Sequence, residues 1–260
     1  MTDNKLVFIS GLHKSGTSIL HRIISTSEDV SGFENTGVPE DEGQHLQSVY
    51  KPALFYGGPG RFAFNEEARL DENSNLINEK NRFKLLEEWG RHWDMSKSVL
   101  IEKSPPNLIR MRFLQELFPD AYFITIIRNP IAVSYATQKW SKTTLENLLE
   151  HWLKAYGLYE NDRPFLKREM LISYEELNDN SEKVFSYIEN FIGIKINYKN
   201  QLQDKNYKYF EKWKKRYSWW KLISQYNKMK LINKYEKKVN HFNYSLIDFK
   251  KHPIIGGNVI

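Results

Sequence analysis

The stretch G-L-H-K-S-G-T-S at residues 11–18 is suited to holding an anion. Its two glycines have the spacing of the phosphate-binding loop G-x-x-x-x-G-K-[ST], which joins a strand to a helix. Here, however, the lysine is Lys14, and Thr17 stands where the motif has its lysine. The amides of residues 14–18, with the hydroxyls of Thr17 and Ser18, would surround an anion at the helix N-terminus. The pattern therefore predicts an anion site, and the alternative is an ordinary glycine turn before a capped helix.

A second cation, Arg128, directly follows the apolar run Y-F-I-T-I-I. A metal-dependent nucleotide triphosphatase wants an acidic residue at a strand end to help hold magnesium. This strand ends instead in Arg128, Asn129 and Pro130, and an arginine fork suits phosphate. The two cations favour a metal-free site for a ligand with more than one anionic group. The alternative for Arg128 is a structural ion pair at a strand end.

Four segments, in this order along the chain, resemble the sulfotransferases that use 3′-phosphoadenylyl sulfate (PAPS). They are residues 11–18, E-K-S-P at 102–105, F-P-D-A-Y-F-I-T-I-I-R-N-P-I-A-V-S-Y-A at 118–136, and H-P-I-I-G-G-N at 252–258. The resemblance implies an enzyme that moves a sulfuryl group from PAPS to a hydroxyl or amine acceptor, with adenosine 3′,5′-bisphosphate as product and no metal. It also implies an α/β fold of the P-loop-like kind, with three layers and a central parallel sheet flanked by helices.

The same resemblance assigns roles to residues of this chain. Lys14 reaches the oxygen that bridges sulfate and phosphate and stabilises charge on the leaving phosphate. Arg128 binds the 3′-phosphate, and Ser134 takes the role of a serine that relatives carry at the position of Ala136, with Thr137 as the fallback. The full set of donor-binding residues is His13, Lys14, Ser15, Gly16, Thr17, Ser18, Arg128, Ser134, Gly256, Gly257 and Asn258.

An attacking acceptor loses a proton, so a general base within hydrogen-bond reach is expected. Many relatives use the histidine of a K-T-H segment, but here Pro105 stands in that place, two residues after Lys103. Lys103 itself is expected near the transferred group and its acceptor. Other relatives use a glutamate that follows the phosphate loop. We rank Glu42 first as this base, followed by Glu34 and His45.

Pro39 fits the first position of a helix. On such a helix Glu42 and His45 would share a face and form a carboxylate–imidazole pair able to take a hydroxyl proton. For Glu40 and Asp41 the sequence favours a capping role, because acidic residues in a first turn are stabilised by the helix dipole.

The elements that position these residues follow from apolar runs that alternate with helical periodicity. Strands are predicted at 7–10, 29–33, 98–105, 121–130 and 170–177. Helices are predicted at 15–27, 76–95, 107–119, 131–140, 144–160, 181–192 and 205–240. This alternation predicts a parallel sheet wrapped on both faces. We expect a single domain over 1–260, with a loop-rich excursion at about 34–75 and a basic helical part at about 200–260.

Composition excludes several classes of protein. The 260 residues contain no cysteine, which rules out disulfide frameworks, zinc–thiolate sites and thiol catalysis. No apolar run reaches the roughly 18 residues that a membrane span needs, so a cytoplasmic protein without stable membrane insertion is expected. The net charge of +6 is uneven, because residues 199–252 hold fifteen Lys or Arg against four Asp or Glu. Such a basic segment can mark a nucleic-acid or membrane surface.

Two other functions stay open at this point. A nucleic-acid-binding module built on the basic tail would not need the glycine loop. A P-loop kinase would need an acidic magnesium ligand, for which no strand end offers a good candidate. The glycine loop explains an anionic partner more economically, so no nucleic-acid partner is expected. The acceptor stays open among small molecules such as phenols, lipids, glycans and peptides, and the sequence predicts no oligomeric state.

Overall fold

Five strands of the described chain form one parallel sheet. The computed structural model describes residues 4–199, 202–215 and 221–255, without the side chains of 221–225. The strands are β1 Lys5–Ser10, β2 Val30–Gly32, β3 Val99–Lys103, β4 Tyr122–Ile127 and β5 Glu169–Ser173. Their order in the sheet is β2-β3-β1-β4-β5, and every neighbouring pair is parallel. The predicted α/β fold with a central parallel sheet is therefore confirmed.

Helices cover both faces of this sheet. They are α1 Thr17–Ile24, α2 Glu79–Gly90, α3 Met111–Leu117, α4 Pro130–Ser141, α5 Leu145–Asp162, α6 Tyr174–Asp179, α7 Ser181–Ile192, α8 Tyr207–Lys214 and α9 Lys221–His241. Side chains alternate across a strand, so Val7 and Ile9 of β1 pack with α1, α6 and α7. Phe8 between them faces the opposite layer, where it packs with residues of α2, α3 and α5. The result is a three-layer arrangement.

The excursion between β2 and α2 consists of short 3-10 turns in place of regular helices. These are Pro39–Asp41, Gly43–His45, Ala53–Tyr56, Phe62–Phe64 and Glu66–Ala68. The prediction of a helix that starts at Pro39 is wrong, because Glu40 and Asp41 have φ of 55° and 49° and Glu42 is extended. As a result, Glu42 and His45 do not share a helical face.

Other elements also differ from their predicted bounds. The helix expected at 107–119 begins as a 3-10 turn, Pro105–Ile109, before α3. The strand expected at 170–177 ends at Ser173, whose hydroxyl accepts a hydrogen bond from the amide of Glu176 at 3.1 Å and caps α6. A serine cap followed by acidic residues is a helix start signal. Within the helix expected at 205–240 the structure describes α8 and α9, and residues 216–220 lie outside the described residues. Within the described chain, no helix is both long and apolar enough to cross a membrane.

Candidate functional site

A cleft of about 380 Å³ lies at the carboxyl ends of the strands. Lys14 in the loop after β1, Pro105 after β3, Arg128 after β4 and Tyr174 after β5 all line it. Parallel α/β sheets bind ligands at this edge, where loops of neighbouring strands converge. The sheet thus brings together residues that are far apart in sequence.

The loop after β1 has the geometry of an anion-binding turn. Gly16 has φ of 113°, and a Cβ there would lie 2.9 Å from the ring of Tyr174, so the position needs glycine. The buried hydroxyl of Ser15 donates to the carbonyl of Leu12 at 2.6 Å and shapes the loop from inside. Helix α1 begins at Thr17, which lines the cleft, and its first amides have no partner within the helix. This end of α1 is therefore available to an anion.

Lys14, with φ of 70°, extends its side chain into the cleft. Its ammonium lies 3.3 Å from the ring centroid of Trp140, the last-turn aromatic of α4, and 4.0 Å from a carboxylate oxygen of Glu40. Burial lowers the pKa of Lys14, while the carboxylates of Glu40 and Glu42 oppose this shift. Lys14 thus lies in the predicted anion site, between the ring of Trp140 and the carboxylate of Glu40.

Arg128 is 6% exposed and fixed on three sides. Its Nε donates to Asn206 Oδ1 at 2.7 Å, its Nη1 donates to the carbonyl of Lys14 at 2.8 Å, and its guanidinium lies 3.9 Å from the ring centroid of Tyr174. Its Nη2 has no acceptor among the described residues. A buried guanidinium donor without a partner is costly, and an anion in the cleft would satisfy it.

A buried carboxylate joins the basic tail to the strand end beside Arg128. Glu175 Oε1 accepts from the amide of Asn129 at 3.0 Å and from Asn206 Nδ2 at 2.7 Å. Its Oε2 accepts from the hydroxyl of Tyr244 at 2.7 Å. Asn206 and Tyr244 belong to the tail, so the orientation of Arg128 depends on contacts from that part of the chain.

Lys103 is 1% exposed and is not among the residues that line the cleft. Its ammonium donates to the carbonyl of Glu40 at 2.6 Å, and it lies 3.6 Å from Glu42 Oε1 and 3.5 Å from Ser18 Oγ. Burial raises the pKa of Glu42, and the ammonium of Lys103 and the amide of Gln44 act in the opposite direction. Lys103 thus connects β3, helix α1 and the excursion, and its place near the transferred group and its acceptor stays a prediction.

The three predicted base candidates have different places. Glu42 lines the cleft and is 5% exposed. Glu34 is exposed, His45 is partly buried, and neither of them is among the residues that line the cleft. Burial, together with the ammonium of Lys103, lowers the pKa of His45. Only Glu42 is therefore in a position to meet an acceptor in the cleft.

Ser134 is not among the residues that line the cleft, and its role in donor binding stays a prediction. Its buried hydroxyl lines a separate cavity of about 10 Å³, next to Thr137 and His151, whereas Ala136 lines the cleft. His13 borders both spaces. Burial, with the charges of His151 and neighbouring lysines, lowers the pKa of His13 to about 3. His13 is therefore neutral near pH 7, and it can offer an anion an N–H group but no positive charge.

The remaining predicted residues, Gly256, Gly257 and Asn258, lie outside the described residues. In the described parts of the chain, no group of three or more His, Cys, Asp or Glu side chains is arranged to hold a metal ion. The carboxylates of Glu40 and Glu42 line the cleft, and the other polar groups that face it beside the loop are cations and hydrogen-bond donors. They fit the phosphate and sulfate groups of the predicted donor.

Sequence reasoning missed several residues of this site, and four of them bear on the contacts described above. Tyr174 follows the end of β5, and the rule that strand ends form the site would have found it. Trp140 lies one helical turn after Ala136 on α4, a spacing that could have suggested the same face. Glu40 was taken for a capping residue. Asn206 gave no sequence signal, because its contact with Arg128 depends on how the tail folds back.

Known proteins resemble this chain in sequence and in structure. A family model described as "Sulfotransferase family" matches residues 7–198. Protein-tyrosine sulfotransferase 1 from Danio rerio is 27% identical over 130 residues, which make up 49% of this chain and 33% of that protein. The chain thus matches only about a third of that relative's length.

Solved structures give the resemblance in structure. The sulfotransferase STF1 from Mycobacterium tuberculosis H37Rv matches with a TM-score of 0.53 at 12% identity. The match covers 79% of this chain and 70% of the STF1 chain, and it shows a likeness of fold alone. Mouse sulfotransferase SULT7A1, solved in complex with PAP, has a TM-score of 0.44 at 15% identity, with 84% and 67% covered. Because the family model spans well over half of its residues, this chain belongs to the sulfotransferase family.

Proposed function

We propose that the cleft binds PAPS and that the protein transfers its sulfuryl group to a hydroxyl or amine acceptor. The observation that carries this proposal is the convergence of Lys14, Arg128 and the N-terminus of α1 on one cleft. Lys14 and Arg128, which follow two different strands, suit a donor with anionic groups at both its 3′ and 5′ positions. The unpartnered Nη2 of Arg128 supports binding of the 3′-phosphate.

The loop supports binding of the 5′ end. Gly16, Thr17 and Ser18 contribute amides and hydroxyls at the start of α1, where the helix dipole favours an anion. Ser15 keeps the loop in shape through its bond to Leu12. Bound there, PAPS supplies an activated sulfuryl group whose leaving oxygen is a phosphate oxygen. The ammonium of Lys14 compensates the charge that this oxygen gains, a contact that strengthens in the transition state.

Glu42 is the general base in this proposal. Its carboxylate lines the cleft, and a pKa raised by burial makes it a stronger proton acceptor than a free glutamate. The acceptor oxygen forms a bond to sulfur, and its proton passes to Glu42. The bond between sulfur and the bridging phosphate oxygen breaks, and its electron pair stays on that oxygen beside Lys14. The ammonium of Lys103 lies 3.6 Å from Glu42 Oε1 and forms an ion pair with it.

The acceptor class is proposed more broadly, as a small molecule, a lipid or a glycan. Trp140, which is 53% exposed at the cleft, offers an apolar face to whatever carries the hydroxyl. The Danio rerio relative is named for protein tyrosine, so a tyrosine peptide belongs in any acceptor panel. A cytoplasmic location, a single domain and the absence of a nucleic-acid partner stay predictions.

Donor binding is tested by calorimetry with adenosine 3′,5′-bisphosphate in the presence of excess chelator. We expect binding that is unchanged by chelation, because Lys14, Arg128 and the start of α1 meet the anionic groups of the ligand, and the two cleft carboxylates belong to no metal-binding group of three or more side chains among the described residues. Transfer is then measured with isotope-labelled donor against a phenol, a tyrosine peptide, a hydroxylated lipid and an oligosaccharide. Binding that disappears with chelator would favour the kinase, and the absence of both binding and transfer would refute the proposal.

The role of Arg128 is tested by comparing two ligands. Arg128→Lys should weaken adenosine 3′,5′-bisphosphate about tenfold or more relative to adenosine 5′-monophosphate, because a charge-assisted contact contributes about 1.5–3 kcal/mol. The lysine retains charge but loses the fork. Calorimetry with both ligands gives the ratio, and thermal unfolding checks the fold. Equal weakening of both ligands would leave Arg128 with a structural role only.

A further inference from the structure

The carboxylate of Glu42 receives a second contact besides Lys103. The side-chain Nε2 of Gln44 donates a hydrogen bond to Glu42 Oε2, while Glu42 Oε1 faces Lys103 at 3.6 Å. Gln44 is 2% exposed, so this contact is shielded from water. Each oxygen of Glu42 thus has a different neighbour, and rotation of the carboxylate would break both contacts.

The direction of the Gln44 amide is fixed by its other end. Gln44 Oε1 accepts a hydrogen bond from the backbone amide of Ala53 at 2.8 Å. A backbone N–H is always a donor, so the group that faces it must be the carbonyl and the group that faces Glu42 must be the NH₂. A flipped side chain would set its NH₂ against the N–H of Ala53 and its carbonyl against a carboxylate. The contact to Ala53 therefore orients the donor toward Glu42.

The backbone of Gln44 is held just as firmly. Its N–H donates to the hydroxyl of Ser104 at 2.9 Å, and this hydroxyl donates to Glu102 Oε1 at 2.5 Å. The preceding residue, Gly43, lies so close to Glu102 that any Cβ would overlap the carboxylate, and its carbonyl accepts from the indole of Trp89 at 3.0 Å. Strand β3 and helix α2 thus clamp the segment from two sides.

From these contacts we infer that Gln44 is a positioning residue for Glu42, one that aims the carboxylate and donates a hydrogen bond to its charged form. The inference rests on the proposed role of Glu42 as general base. A hydrogen bond donated to the charged form lowers a carboxyl pKa, whereas burial raises it. Gln44 therefore offsets part of the effect of burial.

Several charges also act on Glu42, and the test must hold them constant. Lys103 and Glu102 face it from β3, Lys14 from the loop after β1, and Glu40 from its own segment. None of these residues is altered when Gln44 is substituted. A change in the titration of Glu42 would then report on the amide of Gln44.

The decisive variant is Gln44→Glu. It keeps the acceptor for Ala53 but replaces the donor with a carboxylate, so like charges raise the pKa of Glu42. Because the base must be ionised, the acid limb of the rate–pH profile should move to higher pH by at least one unit, a tenfold loss of rate at a given pH below the limb. Rates are measured at saturating donor with the acceptor from the panel and with water, as slow donor hydrolysis. Asn75→Asp, an exposed charge change in the same excursion, is the matched control.

A second variant, Gln44→Met, removes the donor without adding charge and should move the limb in the same direction by less. Affinity for adenosine 3′,5′-bisphosphate should stay within twofold of wild type in Gln44→Met, which leaves the net charge unchanged. A limb that stays in place in either variant overturns the inference. If the wild-type protein itself neither binds the bisphosphate nor transfers sulfate, the proposed function fails instead, and the two failures are thereby distinguished.

Discussion

At the residue scale, the chemistry proposed for the cleft depends on Lys14. This lysine stands before the position, here Thr17, at which the phosphate-binding motif has its lysine. The sequence was sufficient to predict an anion site around Lys14 and a second cation at Arg128, because both follow apolar strands. It ranked Glu42 ahead of Glu34 and His45, but it paired Glu42 with His45 on a helix that is absent, because the backbone path of the excursion could not be read from the sequence. Likewise, counting residues after Arg128 could not show that Ser134 faces a separate cavity.

A test of Lys14 separates rate from affinity. Lys14→Ala should slow single-turnover sulfate transfer about a hundredfold, the usual cost of losing one preorganised transition-state donor. Donor affinity should fall much less, because the amides of the loop and the start of α1 still hold the phosphate. Single-turnover rates and equilibrium donor binding are measured side by side.

The matched variant is Lys14→Arg, which keeps the charge but changes reach and hydrogen-bond geometry, so partial recovery of the rate is expected. If alanine instead leaves the transfer rate intact and only raises the dissociation constant, Lys14 is an anchor for the donor and has no special role in the transition state.

At the scale of elements, prediction succeeded where apolar periodicity dominates and failed where single residues set the backbone. The buried strands and most helices were found, because a strand between two helical layers must be apolar on both faces. The excursion was misread at Pro39, since proline also opens a 3-10 turn and two left-handed residues follow it. That turn places Glu40, read as a capping residue, in contact with the anion site.

The turn Pro39–Asp41 leads to a prediction about donor affinity. The carboxylate of Glu40 lies 4.0 Å from the ammonium of Lys14 and accepts from Ser18 Oγ at 3.4 Å, so it engages two groups proposed for the donor. A donor must displace this carboxylate. Glu40→Gln should therefore tighten binding of adenosine 3′,5′-bisphosphate about threefold to tenfold, since half-exposed ion pairs are weak but the repulsion of an anionic ligand is also removed.

Its control is Glu28→Gln, an exposed glutamate beyond the opposite end of α1, which changes the net charge equally. Adenosine, which carries no anionic group, serves as a second control and should bind both variants as it binds wild type. Weaker binding of the bisphosphate to Glu40→Gln would mean that Glu40 supports the loop and does not compete with the donor.

At the scale of the whole molecule, the basic tail is part of the site. Asn206 and Tyr244 reach Glu175 beside Arg128, so the folded tail fixes the cation proposed to bind the 3′-phosphate. No local pattern in the sequence predicts these contacts, because they join residues distant in the chain. We expect the excess of positive charge at 199–252 to raise the potential around the cleft and so to attract a multiply charged anion, a use that requires no nucleic acid.

The role of this charge can be measured as an association rate. Lys230 and Lys237 are exposed on α9 and neither lines the cleft. Replacing both with glutamate should slow association of adenosine 3′,5′-bisphosphate several-fold at about 0.02 M salt and leave dissociation unchanged, because steering acts on encounter. At about 0.5 M salt the difference should disappear, since screening then acts within a few ångströms. Stopped-flow kinetics gives both rates, and charge reversal at Lys80 and Arg91, exposed near the two ends of α2, controls for net charge.

Faster dissociation, or a defect that persists at high salt, would mean that the tail lysines contact the ligand directly. An equal loss in the α2 variant would mean that only the total charge matters, wherever it lies.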